Sequence, residues 1–280
     1  MSGSRAPSTT RTPRSGILAT LGKLATFVVL LASGCRVGSD PSKDATPALA
    51  ASVVALDAGH AGTSDRTHES ARAGDETFEA DWFSFVLADV RVSIVDVQAT
   101  RDLARTLSKP EAVFATNAGF FDDRDAPLGL SVTGGARMSA FAPKLSGGVL
   151  EIDHGKATLF ETETYDRARL PDFAVQCRPR LVVDGHANVR SDDKKRAERT
   201  AVCLREGGTK LAFVIAKNAE RGPSLFALGR YLAEKGCHDA LSLDGGPSTG
   251  AVYQGPGGLE EMPLRGPIRQ AILVTRPKAP

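Results

Sequence analysis

Past residue 80 the apolar residues of this chain come in short runs with Gly or charged breaks between them: Trp82–Leu87, Val90–Val97, Ala112–Ala115, Leu128–Val132, Val149–Ile152, Ala174–Val183, Ala201–Leu204 and Leu211–Ile215. Runs of this length suit strands and are too short for most buried helices, so β-structure must build the core. One clear helix interrupts them. Gly222-Pro223 supplies its start, Leu225, Leu228 and Leu232 recur at helical spacing, and Gly236 supplies its stop. A second, short helix is expected over Arg101–Leu107, and the polar stretch Gly59–Gly74 reads as a loop or hairpin tip. Ala240–Leu243 follows the clear helix as a strand, and strand, helix, strand in that order resembles a crossover unit. The expected fold class is therefore α+β: a single β-rich domain over residues 51–280, with a mixed sheet and a few flanking helices. With 280 residues, 41% of them hydrophobic, the chain is long enough to enclose such a core.

The amino terminus reads as an address. Residues 1–34 hold Arg5, Arg11, Arg14 and Lys23 with no acidic residue, and an apolar run from Leu24 to Ser33 follows Lys23. A positive flank, a run too short to span a bilayer and small residues at its end make a secretory signal peptide. Its end, Leu31-Ala32-Ser33-Gly34-Cys35, resembles the lipobox of bacterial lipoproteins, in which the Cys is lipidated and becomes the mature terminus. The alternative is an ordinary signal peptide that leaves Cys35 a plain thiol. Residues 36–50, with Pro41 and Pro47, read as a tether. The expectation is export to the bacterial cell envelope, with membrane attachment through lipid on Cys35. Beyond residue 34 there are 31 basic against 33 acidic residues, so no basic stripe favours nucleic acid as a partner. Cys177, Cys203 and Cys237 then permit at most one internal disulfide; a Cys177–Cys203 bridge and three buried thiols both remain open.

Three clusters pair a permissive Gly or Pro with polar groups at the end of an apolar run, which is how loops present functional atoms from a rigid sheet. The first is Phe114–Asp122 with its continuation Pro127–Leu130, where Gly119 lets the backbone turn and Asn117 offers both a donor and an acceptor; Asn117 capping its own turn is the simpler alternative. The second runs Gln176–Leu181 and resumes at Glu198–Val202 after the charged stretch Arg190–Arg199, most of which reads as solvated surface. Arg199 directly precedes an apolar strand, where a guanidinium fork can be held rigidly for phosphate. The third, Leu241–Thr249, places Asp244 at a strand's carboxyl end, followed by Gly245, Gly246, Ser248 and Thr249.

Together and in this order the clusters resemble the phosphodiester glycosidase family, in its bacterial branch. The matching residues are Asn117-Ala118-Gly119-Phe120, Gln176 with Pro179 and Leu181, Arg199-Thr200-Ala201, and Leu243-Asp244-Gly245-Gly246-Pro247-Ser248, and the resemblance spans residues 80–276. Two positions depart from it: Arg178 stands where the family has Gly, and Cys203 where a small residue is usual.

The resemblance implies a hydrolase that cleaves the bond between a sugar C1 and a phosphate oxygen, with a carbohydrate phosphodiester as substrate; no cofactor is expected and no residue is assigned to a metal, and assistance by a divalent cation stays open. Such cleavage passes through an oxocarbenium-like state, so Asp244 is expected to supply negative charge near C1. Arg199 is expected to offset charge on the departing phosphate. Asn117 completes the catalytic set. Gly119, Asp122, Gln176, Thr200 and Ser248 are expected to bind substrate, with the Gly245 and Gly246 amides as an anion-binding nest.

Two rival enzyme classes fail on the sequence. Gly246-Pro-Ser248-Thr-Gly250 matches a nucleophile elbow, but all five His precede Ser248, where that fold needs one after it. A metal hydrolase lacks a pair of His at ligand spacing. The remaining alternative is a lipid-tethered carbohydrate or phosphate-binding protein without turnover.

Overall fold

The computed structural model describes residues 65–100, 102–218 and 221–277. The segments expected to be a signal peptide and a tether, with Cys35, lie outside the described residues. Among the described residues seventeen strands build three sheets, and two more, Phe120–Phe121 and Pro127–Leu128, pair with each other. The seven-stranded sheet runs in the order Asp65–Ala73, Glu76–Val86, Lys210–Lys217, Arg199–Arg205, Asp239–Ser242, Arg180–Val183, His186–Ala187. One five-stranded sheet runs Lys156–Glu161, Gly148–Asp153, Phe173–Cys177, Ser131–Thr133, Ala136–Ser139, and the other Gly258–Met262, Ala251–Gly255, Ala112–Asn117, Ile268–Thr275, Arg91–Thr100.

The central strands of the seven-stranded sheet are apolar on both faces, which is why the sequence shows them as continuous runs. Strand periodicity sends alternate residues to opposite faces, and alanines are frequent on one of them. Ala80, Ala201, Ala212, Ala216 and Ala240 face one way, toward the helix Leu225–Glu234. Phe83, Phe85, Val202, Leu204, Phe213 and Leu241 face the other, into a core shared with the two five-stranded sheets. Small side chains let the helix lie close: a Cβ on Gly229 would sit 3.0 Å from the Leu181 carbonyl oxygen. Ser224 caps the helix by accepting the Ala227 amide at 3.0 Å, and Gly236 ends it at φ +80°. On the other face Phe114 stacks on Phe213 at 5.1 Å and meets Phe83 at 4.7 Å, joining two sheets through aromatic contact.

Several expectations are corrected. Every strand pairing among the described residues is antiparallel, so the fold is mostly β and has no mixed sheet. The expected crossover does join two strands of like direction, Lys210–Lys217 and Asp239–Ser242. Arg199–Arg205 lies between them and pairs antiparallel with both. The stretch Gly59–Gly74, expected as a loop or hairpin tip, contains the edge strand Asp65–Ala73 among its described residues, and the hairpin tip is confined to the Gly74-Asp75 turn, with Gly74 at φ +65°. The short helix is a 3-10 turn over Ala104–Leu107.

The disulfide joins Cys203 to Cys237, and Cys177 is a buried free thiol. A Cys177–Cys203 bridge is excluded by direction, because Cys203 faces the helix layer whereas Cys177 points into the core shared by the sheets. No helix among the described residues is long and apolar enough to cross a membrane.

Candidate active site

The three sequence clusters meet where the sheets converge. Asn117 ends the strand Ala112–Asn117, Thr200 is the second residue of Arg199–Arg205, and Asp244 follows Asp239–Ser242 by two residues. Backbone bonds fix these ends together: the Leu243 amide donates to the Thr200 carbonyl at 2.9 Å and the Asp244 amide to the Ala118 carbonyl at 3.2 Å. Asn117, 1% exposed, donates from Nδ2 to the Asp244 carbonyl at 2.7 Å, and its Oδ1 accepts the Thr200 hydroxyl at 2.7 Å. Asn117 is thus tied to the loop of the third cluster rather than to its own turn. Both Asn117 and Thr200 are buried beneath the site and act on it through Asp244.

Burial pushes the Asp244 carboxyl above the usual range, while hydrogen bonds from the Ser248 hydroxyl and the Gly245 amide, the latter 2.8 Å from Oδ1, pull it back. Both donors complement the ionised form and work against the burial that opposes it. Asp244 and Arg199 line one cleft of ≈ 630 Å³ with Phe120, Ser146, Arg178, Asp193 and Lys195. Arg199 is half-buried. Its Nε donates to the Pro223 carbonyl at 3.3 Å and its Nη2 to the Lys195 carbonyl at 2.9 Å, which fixes the plane of the guanidinium. Burial lowers its pKa, opposed by the charges of Asp193 and Glu76. Three cations, Arg178, Lys195 and Arg199, face two carboxylates, Asp193 and Asp244, so the cleft carries excess positive charge.

The remaining expected residues divide. Gln176 is fully buried and its amide is saturated: Oε1 accepts the Leu130 and Ala142 amides, both at 3.0 Å, and Nε2 donates to the Ala142 and Leu145 carbonyls at 2.9 and 3.0 Å. It clamps Leu130, Ala142 and Leu145, the last beside the cleft residue Ser146, and its amide is fully engaged by these bonds. Asp122 lies outside the cleft lining, and its Oδ1 accepts the Arg124 and Ala126 amides at 3.0 and 2.9 Å, a turn-forming role. Gly119 packs on the strand Phe173–Cys177; a Cβ there would lie 3.6 Å from the Cys177 Sγ. Gly245 and Gly246 line the cleft, yet their amides are engaged, Gly245 with Asp244 Oδ1 and Gly246 with the Glu198 carbonyl at 2.7 Å. No anion nest is open there. Ser248, in the 3-10 turn Gly246–Ser248, donates to the Pro267 carbonyl at 3.4 Å, and its hydroxyl lies close enough to Asp244 to lower the pKa of that carboxyl.

Sequence reasoning missed Asp193, Lys195 and Ser146. The first two lie in the charged stretch that was read as solvated surface, and their one signal was closeness in sequence to Arg199. A second cavity of ≈ 530 Å³, containing Arg91, His154 and Asp172, shares no residue with the cleft and holds none of the three clusters. On the surface, Asp184, His238 and Asp239 place ligand-type atoms within 4.8 Å of one another, with His238 Nδ1 bonded to Asp239 Oδ2 at 2.7 Å.

Comparison with known proteins gives two kinds of likeness. A family model described as phosphodiester glycosidase matches residues 110–275. Among solved structures, a hypothetical protein from Synechocystis superposes with a TM-score of 0.58 at 14% identity, covering 76% of this chain and 62% of that one. This chain therefore spans less than two thirds of that protein's length. The catalytic domain of zebrafish N-acetylglucosamine-1-phosphodiester alpha-N-acetylglucosaminidase, auto-inhibited by its pro-peptide, superposes with a TM-score of 0.58 at 17% identity, covering 76% of this chain and 82% of that one. At these identities the structural likeness is one of fold. No curated protein sequence matches the chain.

Proposed function

The chain belongs to the phosphodiester glycosidase family, and from that premise we propose that it hydrolyses glycosyl-1-phosphodiesters, breaking the bond between sugar C1 and the phosphate oxygen. The observation that carries this reading is Asp244, a desolvated carboxylate sharing one cleft with the guanidinium of Arg199. The oxygen of water joins C1, and the bonding pair leaves with the phosphate, giving free sugar and a phosphomonoester. As the C1–O bond lengthens, positive charge grows on the sugar, and Asp244 stabilises it. Negative charge grows on the departing oxygen, and Arg199 offsets it. A phosphomonoester is a stable leaving group, its second pKa being about 6, so a strong general acid is less necessary than for an ordinary glycoside. Phe120, half-buried at the cleft, offers an apolar surface for a sugar ring. Asn117, itself held by the Thr200 hydroxyl, fixes the backbone of Asp244.

Export to the bacterial envelope, with lipid on Cys35, is part of the same proposal. Its support is the Leu31–Cys35 sequence and the Cys203–Cys237 bridge, a bond that persists in oxidising compartments.

The test is incubation of the purified protein with α- and β-glycosyl-1-phosphodiesters. Equimolar release of sugar and phosphomonoester, abolished in Asp244→Asn and Arg199→Ala, supports the reading. Binding without release in any member of the series replaces it with a carbohydrate-phosphate binding protein.

A further inference from the structure

Arg178 differs from the other cleft cations in what holds it. Arg199 donates to two backbone carbonyls, and Lys195 Nζ lies 3.8 Å from Asp193 Oδ2. Arg178 has no hydrogen bond, ion pair or ring contact with any described residue, and it is exposed on the cleft wall. Its root is nevertheless rigid. The carbonyl of the next residue, Pro179, accepts the Ser242 amide at 3.0 Å. Gly147 packs so tightly behind it that a Cβ there would lie 2.4 Å from the Cys177 carbonyl oxygen and 2.6 Å from the Arg178 Cβ. The backbone thus aims the side chain while the fork at its end stays unpaired, the arrangement suited to bidentate binding of a carboxylate or phosphate. Of the three cleft cations, Arg178 is the one whose charged end has no protein partner: Arg199 is held by two carbonyls and Lys195 lies beside Asp193.

We propose that Arg178 is a specificity-determining residue that binds a second anionic group of the substrate, phosphate or carboxylate, beyond the scissile phosphate. The inference rests on the glycosidase reading for the word substrate. The preferred compounds are glycosyl phosphodiesters with a further negative charge, either on the leaving group or on the sugar. Selection comes from leaving the Arg178 fork unmatched when that charge is missing.

The test uses the full chain and calorimetric titration with matched pairs that differ by one anionic group. Inorganic phosphate against pyrophosphate and glycerol 3-phosphate against 3-phosphoglycerate probe the leaving-group side; glucose 1-phosphate against glucuronic acid 1-phosphate probes the sugar side. The expected result is at least tenfold tighter binding of the two-anion member in one pair, and that pair identifies the side. Arg178→Gln should reduce the preference below twofold, chiefly by weakening the two-anion member. Arg190→Gln, an exposed change outside the cleft, should preserve it. A ratio below twofold in every wild-type pair, absence of binding throughout, or a preference that survives Arg178→Gln overturns the proposal. Sugar release from glycosyl phosphodiesters is measured separately. Discrimination without release refutes the glycosidase reading alone, and release without discrimination refutes the role of Arg178 alone.

Discussion

The side-chain amide of Asn117 donates to the backbone carbonyl of Asp244 at 2.7 Å, linking residues 127 positions apart in the chain. Because the Asn117 carbonyl also accepts the Thr200 hydroxyl, one buried amide joins the ends of strands from two different sheets directly behind the cleft. The position of the Asp244 carboxylate is therefore set by groups that a ligand in the cleft need not touch.

Replacing Asp244 by Asn separates chemistry from folding. Asn retains an oxygen for the Gly245 amide and loses the charge, so turnover should fall by about 10³-fold or more while the circular dichroism spectrum is unchanged. Burial raises the carboxyl pKa in the folded state. Its contribution to stability is thus complete below the unfolded value and is lost as pH rises through the folded one. Asp244→Asn should accordingly match the wild type in acid and melt higher at neutral pH. Thermal melts at several pH values decide this, and a lower melting temperature for the variant at pH 7 would refute it.

Thr200→Val keeps the shape of the side chain and removes the donor to Asn117. The cost should be about 1–3 kcal/mol, read as a shift in denaturant midpoint at constant slope, because a buried carbonyl loses its best partner. Turnover should fall with it, and Ser at position 200 should restore both. A Val variant with unaltered stability and rate would show that the Asn117 amide needs no such partner.

Gln176→Leu should be among the most damaging single changes. It removes all four bonds that hold Leu130, Ala142 and Leu145, leaving buried backbone groups without partners, and stability should drop by about 3 kcal/mol or more. Urea titration measures this. Hydrogen exchange should quicken first at the Leu130 and Ala142 amides, and unchanged exchange there would contradict the clamp.

The Cys203–Cys237 bridge closes a loop of 34 residues, for which chain entropy gives a stabilisation of about 4 kcal/mol. The double Ala variant should unfold at correspondingly lower denaturant. Alkylation of the native, non-reduced protein should leave Cys177 unlabelled, since it is fully enclosed. Rapid labelling of Cys177 in the folded protein would argue against the core described above.

Strand positions and the three clusters were legible in the sequence because buried strands and their terminal Gly, Asn and Asp residues are local signals. The edge strand Asp65–Ala73 was not, since it buries only Ala71 and Ala73 and shows no apolar alternation. Strand order also has no local signature: the sequence places a helix between Lys210–Lys217 and Asp239–Ser242 and is silent on the insertion of Arg199–Arg205 between them. The disulfide was misjudged for a related reason, because the face on which Cys177 points depends on packing. Of the expected site residues, Asp244, Arg199, Gly245 and Gly246 line the cleft, whereas Gln176, Asn117 and Thr200 are buried and bonded to other parts of the protein. A motif marks where polar groups gather, and only hydrogen-bond geometry distinguishes a group that meets a ligand from one that holds its neighbour.

Bringing Thr200 to Asn117 closes a separation of 83 residues, and bringing Asn117 to Asp244 closes one of 127. Contacts this distant form slowly and late, because the entropy of ordering the intervening chain is lost before the contact returns anything. A partly folded intermediate with native hairpins would have no cleft. The sole tryptophan, Trp82, hydrogen-bonded to Tyr231 at 2.7 Å beside the helix, reports the formation of one layer by its fluorescence. Recovery of activity after dilution from denaturant reports the closing of all three sheets. The interval between the two signals measures how long this chain exists as a nearly complete but inert molecule, with its sheet edges open to other chains.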